Sequence, residues 1–277
     1  MKAQFTQKII GTGERKALLI PFGEKAGQSV QYAGAPTFAY TAAGWSVDKS
    51  NMVSSPVFEI DDELENIAHL PELLRDVGAV PEGPLTLTII SDDPSDEIRA
   101  SIMQALLQSK ETLIYSAFGT DRGLAVTAVD KGYTFPFFSA SLDHSYITAA
   151  IQFAHCIYEQ SFQQKRVTSK DKPVENEKYA FRCFLLRIGM IGKEYSLARK
   201  TLLASLSGNS SFRNGERPRT AEIPAASGEP LADETTWNAA NAALAAHTAD
   251  DDAALAEALA DAELIHGVNE LMEGNHG

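Results

Sequence analysis

Hydrophobic and polar positions alternate in short runs over the first half of the chain and fall at helical intervals over the next quarter. Ala3 to Ile10 predicts a strand, and Thr12 is placed to cap a helix opening at Gly13, Glu14 and Arg15. Pro21 and Gly23 fall in what would be its third turn, so a kink or early stop is expected there. Ser29 to Tyr32, Thr37 to Tyr40 and Gly44 to Val47 suit a small antiparallel meander, packed by Tyr32, Phe38, Tyr40 and Trp45. Asp61 or Asp62 then caps a helix to about Asp76, with Leu64, Ile67, Leu70, Leu73 and Leu74 on one face and Pro71 interrupting it.

A second unit opens at Pro84, where Leu85, Leu87 and Ile89 alternate with Thr86, Thr88 and Ile90 as a strand. Asp93 as N-cap and Pro94 at the first helical position predict a helix with Ile98, Ile102, Ala105 and Leu106 inward. Leu124 to Val129 and Tyr133 to Phe138 form a hairpin around Asp130, Lys131 and Gly132. Strand, helix and strands therefore occur twice in the same order, a topological pseudo-repeat without sequence identity.

From Asp143 to about Phe162 the spacing of Ile147, Ala150, Ile151, Ala154, Ile157 and Tyr158 is helical. Glu175 to Ile188 and Lys193 to Leu206 are two further helices around Gly189 and Gly192, the second ending at Gly208, a left-handed cap. Residues 209–233 have a linker's composition, and 234–277 are Ala-rich and acidic with a weak helical period. The predicted fold is α+β: a first unit over 1–80 and a second over 81–140, in tandem or fused into one layer. A helical module over 141–208, the linker and a flexible tail complete the chain.

Charge sharpens this division. The net charge of −13 is the sum of −9 over residues 1–164, +8 over 165–219 and −12 over 220–277, the last stretch having no Lys or Arg. A basic block attracts polyanions at low salt and an acidic tail repels them. Two readings of the tail stand: a solvated segment that maintains solubility, and a shield folded back on the basic block. The helix pair frames a helix-turn-helix-like arrangement whose candidate nucleic-acid contacts are Lys178, Arg182, Arg187, Lys193, Arg199, Lys200 and Arg213.

Strong catalytic signatures are missing: there is no HExxH, GxSxG or CxxC. Gly11-Thr12-Gly13 before Arg15 and Lys16 lacks a full phosphate-loop pattern and reads as a turn with a cap. Asp92, Asp93, Asp96 and Glu97 are explained by helix capping, so no metal or cofactor is assigned. His155 beside Cys156 could face Cys183 as base and nucleophile, but neighbours on a helix diverge by about 100°, and a buried thiol is expected instead. No run approaches the roughly 20 apolar residues of a membrane span, and the start has no secretion signal, which predicts a cytoplasmic protein without membrane contact.

The run from Val174 through Tyr179, Phe184, Ile188 and Lys200, continuing to Leu206-Ser-Gly-Asn-Ser-Ser-Phe212, resembles the hallmark of the "virulence-related protein" family of mobile elements in Gram-positive gut bacteria. Thr12-Gly-Glu-Arg-Lys-Ala-Leu18 and Tyr32-Ala-Gly-Ala-Pro-Thr-Phe-Ala-Tyr40 are similar to that family's opening, so the resemblance covers about residues 1–213. It implies a setting on phage or conjugative DNA and no defined activity. The expected function is that of a non-catalytic accessory protein acting through macromolecular contacts, inhibiting a host defence or nucleic-acid-processing system. Its expected partners are a host protein or nucleoprotein complex, with nucleic acid met through residues 165–219. A DNA-binding regulator using residues 175–206 is the alternative, and an enzyme with an unrecognised site is third.

Overall fold

A computed structural model describes residues 1–11, 13–91, 96–164, 167, 169–171 and 173–210, all within one compact unit, Met1–Pro218. The fold is α+β, built on a nine-stranded antiparallel sheet. Strand β1 (Lys2–Ile10) and strand β7 (Val80–Ile90) are its centre. On the free side of β1 lie β2 (Gln31–Tyr32), β3 (Tyr40–Ala42), β4 (Trp45–Val47) and β5 (Met52–Ser54), with β6 (Phe58–Glu59) pairing further along β1. On the free side of β7 lie β9 (Gly132–Phe138) and then β8 (Thr127–Val129), giving the order β2-β3-β4-β5-β1-β7-β9-β8. In both halves the first strand is central and the last pairs with it, so the pseudo-repeat is present as topology. The two units share one sheet, the fused arrangement.

Alternation explains the sheet's two faces. Phe5 pairs with Leu87 and Leu87 with Phe135, while Ala3, Ile89 and Tyr133 form the neighbouring row; all six are buried. Side chains in register across strands share a face, so these rows form the floor of the core. The opposite rows carry Gln4, Thr88 and Thr134, and the Thr88 and Thr134 hydroxyls lie 3.3 Å apart. Two irregularities bring extra groups inward. Between Thr6 and Lys8 the register with β7 slips, and buried Gln7 donates to Glu82 O and accepts from Ser141 N. A second shift, between Leu85 and Leu87, lets Phe137 and Phe138 both be buried despite being neighbours.

The helices cover this floor. Helix α6 (His144–Gln163) opens on Asp143, whose side chain accepts from Tyr146 N, and twelve of its twenty residues are buried. Helix α2 (Ile60–His69), α4 (Glu97–Gln108) and α8 (Ser196–Ala204) all pack on it. Helix α7 (Glu177–Arg187), capped by Asn176, packs on α8.

Several expectations are corrected. Pro21 does not break a helix: a 3-10 turn over Arg15–Leu19 precedes it, and proline opens α1 (Ile20–Ala26), where a missing N–H costs nothing. The capping expected of Thr12 lies outside the described residues, and Glu14 holds the cap position of the 3-10 turn. Of the meander aromatics only Trp45 is deeply buried, stacked on Phe22 at 4.4 Å; Tyr32 and Phe38 are exposed because β2 is the sheet's edge and Phe38 sits in a turn at φ +51°. Glu59, rather than Asp61 or Asp62, holds the cap position of α2, and Pro71 converts that helix to a 3-10 turn (Leu70–Glu72) before α3 (Leu73–Asp76). Asp96 caps α4 through Ile98 N, which rotates the buried stripe to Ala100, Met103, Leu106 and Leu107 and leaves Ile98 71% exposed. Asp93 and Pro94 lie outside the described residues, as do the linker beyond residue 210 and the tail with its shielding role. Helix α5 (Glu111–Phe118) has no counterpart among the elements expected from the sequence.

Gly132 is the tightest point of the sheet. It has φ +128°, and a Cβ there would overlap the Ile89 carbonyl oxygen of the adjoining central strand. Gly132→Ala is expected to cost ~2 kcal/mol or more, from backbone strain plus displacement of β7, read as a lower urea midpoint.

Candidate functional site

The predicted basic residues do not share one helix face. On α7, Lys178 and Arg182 are four residues apart and share a side, about 40° apart around the axis. Arg187 lies about 140° further round, its guanidinium 5.4 Å from the Phe184 ring. The buried stripe of Phe181, Phe184 and Leu185 runs between these two sides, so the cations flank the helix rather than crown it. Lys193 is exposed in the connection, and Lys200 is exposed on the face of α8 opposite buried Ala198 and Leu202.

Arg199 is a structural group. Its Nη1 donates to Met190 O at 2.7 Å and its Nη2 to Gly192 O at 3.0 Å, so it caps the turn. Arg213 lies outside the described residues. Lys178, Arg182, Arg187, Lys193 and Lys200 enter no ion pair among the described residues, in contrast with Lys2 and Lys8 on the sheet, paired with Glu59 and Glu82. The connection from Arg187 to Ser196 comprises residues 188–195, longer than the three or four residues of a helix-turn-helix turn. It is moored near its C-terminal end, since Gln152 Nε2 of α6 donates to Glu194 O. Beside α7 an open groove of about 730 Å³ is lined by Pro173, Val174, Tyr179, Ala180 and Cys183 among others.

The thiols divide. Cys156 is the expected buried thiol, pushed up to about 12 by burial so that it stays protonated at neutral pH, whereas Cys183 is exposed. His155 is held below its ordinary value by burial, with Glu159 at 3.7 Å opposing. Gly11 has φ +92° and a Cβ there would lie 2.9 Å from Gly78 O, so the glycine serves a turn, and the next element is a short 3-10 helix rather than the α-helix start a phosphate needs.

A cluster that sequence reading missed lies at the other end of α6. His69 ends α2, Glu72 ends the adjoining 3-10 turn, and His144 is the first residue of α6. Glu72 Oε1 lies 3.1 Å from His144 Nδ1 and also accepts from His144 N at 3.2 Å. Glu72 Oε2 lies 3.7 Å from His69 Nδ1, and the two imidazoles stack at 3.9 Å. The hydrogen bond from His144 holds the Glu72 carboxyl below the usual range, against a smaller opposing effect of burial. Side-chain exposures of 42%, 33% and 29% for His69, Glu72 and His144 leave the donor atoms accessible to water. The only local sign of this cluster was a His and a Glu three residues apart on a helical segment; His144 is 72 residues further on, and only the packing of α2 on α6 brings it in.

No protein-family model, curated protein or solved structure matches this chain. No helix among the described residues is long and apolar enough to cross a membrane.

The α7–α8 geometry has two measurable consequences. Arg199→Ala leaves the Met190 and Gly192 carbonyls without their charged donor and is expected to lower stability by about 1.5–3 kcal/mol in chemical denaturation. Glu177 accepts from Ser207 N at 2.9 Å and Ser207 Oγ at 2.7 Å, and these bonds hold its carboxyl below the ordinary value of 4.5. A depressed carboxylate contributes stability above its unfolded pKa and loses it as pH falls through the folded one. The melting-temperature gap between the wild type and Glu177→Gln should therefore be present at pH 7 and shrink below about pH 4.

Proposed function

We propose that this protein is a non-catalytic accessory protein that acts through macromolecular contacts, with the cationic side chains of α7, its connection to α8 and α8 itself as the polyanion-facing surface. One observation carries this reading: Lys178, Arg182, Arg187, Lys193 and Lys200 have no carboxylate partner among the described residues, so their charge is available to an external anion. Cations spread over two sides of a helix suit a contact that tracks charge rather than one that reads bases. The eight-residue connection, moored to α6 and capped by Arg199, supports this over a regulator that reads base sequence.

The resemblance of residues 174–212 to the mobile-element family supports a setting in which such a protein inhibits a host defence or nucleic-acid-processing complex. The partner is then a host protein or nucleoprotein complex in the cytoplasm. The buried, protonated Cys156 removes one candidate nucleophile and so supports a non-catalytic role over the enzyme reading.

The test is fluorescence-anisotropy binding of the full chain to random duplex DNA, single-stranded DNA and RNA across a salt series. Binding is expected to be similar for all sequences and to weaken linearly in log–log form with salt, the slope falling by roughly one per phosphate-contacting cation removed. Replacing Lys178, Arg182, Lys193 and Lys200 by Ala is expected to abolish it. Preference for one duplex by several kcal/mol would transfer the assignment to a DNA-binding regulator, and no salt-sensitive binding at all would refute the polyanion-facing surface.

A further inference from the structure

We propose that His69, Glu72 and His144 form a solvent-facing site for a divalent transition-metal ion of the zinc type, clasping the end of α2 to the start of α6. The donor set is two imidazoles and one carboxylate, a combination that selects zinc and its first-row neighbours over calcium or magnesium, which take mostly oxygen. Geometry points the same way. With zinc about 2.1 Å from each donor, adjacent donors of a tetrahedron stand about 3.4 Å apart. The two carboxylate oxygens already lie 3.1 Å from His144 Nδ1 and 3.7 Å from His69 Nδ1, on either side of that value. The ligand atoms of all three residues lie within 4.8 Å of one another, so modest side-chain rotations bring them to tetrahedral separations.

The scaffold limits how far these donors can wander. His144 is the first residue of a buried twenty-residue helix, and Glu72 is tied to it through the backbone N–H as well as the ring. His69, at the end of α2, is the most exposed of the three and has room to turn its ring. Three protein ligands leave the fourth tetrahedral position facing solvent, where a water completes the shell. Among the described residues neither imidazole has a second hydrogen-bond partner on its far nitrogen, and such outer partners are worth roughly 10–100-fold in affinity. The site is therefore one of moderate affinity, filled and emptied by changes in free metal. Its occupant stabilises the fold by linkage, because the three donors are brought together only when α2 and α6 are docked.

The experiment is zinc chloride titration of the full chain by isothermal calorimetry in a non-chelating buffer, with thermal denaturation in parallel and cobalt(II) as the spectroscopic probe. His247, His266 and His276 also belong to the chain, so variants assign the site. One zinc ion is expected to bind with a concentration-dependent rise in melting temperature, and cobalt to give a nitrogen/oxygen spectrum without thiolate bands. His69→Ala and Glu72→Gln should each weaken binding by more than ~100-fold, exceeding the loss of an outer partner, whereas His155→Ala on α6 should not. Because Glu72 also accepts the His144 N–H, His69→Ala is the decisive variant, its fold verified by circular dichroism. Failure of the wild type to bind zinc, or unchanged binding by His69→Ala together with His144→Gln, would overturn the proposal without touching the polyanion surface.

Discussion

Burial of α6 is the constraint on which the rest of the protein depends. The helix has apolar or small residues almost all the way round, so no single partner surface satisfies it. It needs the sheet beneath it and helices on its flanks, and it has them: β7 below, with α2, α4 and α8 alongside. Aromatic contacts show how closely the layers mesh. Phe153 meets Phe118 edge-on at 5.1 Å and Phe184 of α7 at 6.4 Å, while Tyr158 lies 5.7 Å from Tyr133 of β9. At densities like these, removing one large ring costs about 3–5 kcal/mol, so the helix organises the whole described unit rather than merely covering it.

The polar groups around α6 explain why its surroundings are shaped as they are. Tyr158 Oη meets Ser91 at the end of β7, and Tyr133 Oη accepts from Asp96 N at the opening of α4, which gives buried phenols their partners. Toward the α7–α8 side the same need is met by Arg199, which uses its fork of donors on two carbonyls of the connection. Arg199 is thereby removed from the set of outward cations. Lys178, Arg182, Arg187, Lys193 and Lys200 are left to define the charged surface, and their spread around α7 decides that it meets charge rather than a groove of bases.

The two candidate sites sit at different places along α6 and use different chemistry. One is an array of fixed positive charges beside α7 and α8, whose strength depends on salt. The other is a compact set of neutral and anionic donors at the first turn, whose strength depends on free metal and on the docking of α2. Both depend on α6 remaining seated.

Local chemistry was legible wherever the local pattern and the burial agreed. Residues 143–162 read as a helix from their spacing, and 133–138 read as a strand from the turn at 130–132 before it, because those features act within a few residues. The existence of α7 and α8 was legible in the same way, although their ends lie one to three residues inside the predicted bounds and Gly208, at φ +94°, follows the Ser205 cap of α8 rather than capping it. Tertiary packing decided what distance along the chain conceals. It placed β1 against β7, chose Asp96 as the cap of α4 and so turned Ile98 outward, and let proline open α1 instead of ending a helix. Arg199 illustrates the physical reason: a charge on a predicted outer face becomes the donor that closes a turn by reaching carbonyls nine and seven residues away. The His69–Glu72–His144 cluster illustrates it again, since a ligand set is a matter of distance in space, and residues 72 positions apart acquire that distance only when α2 docks on α6.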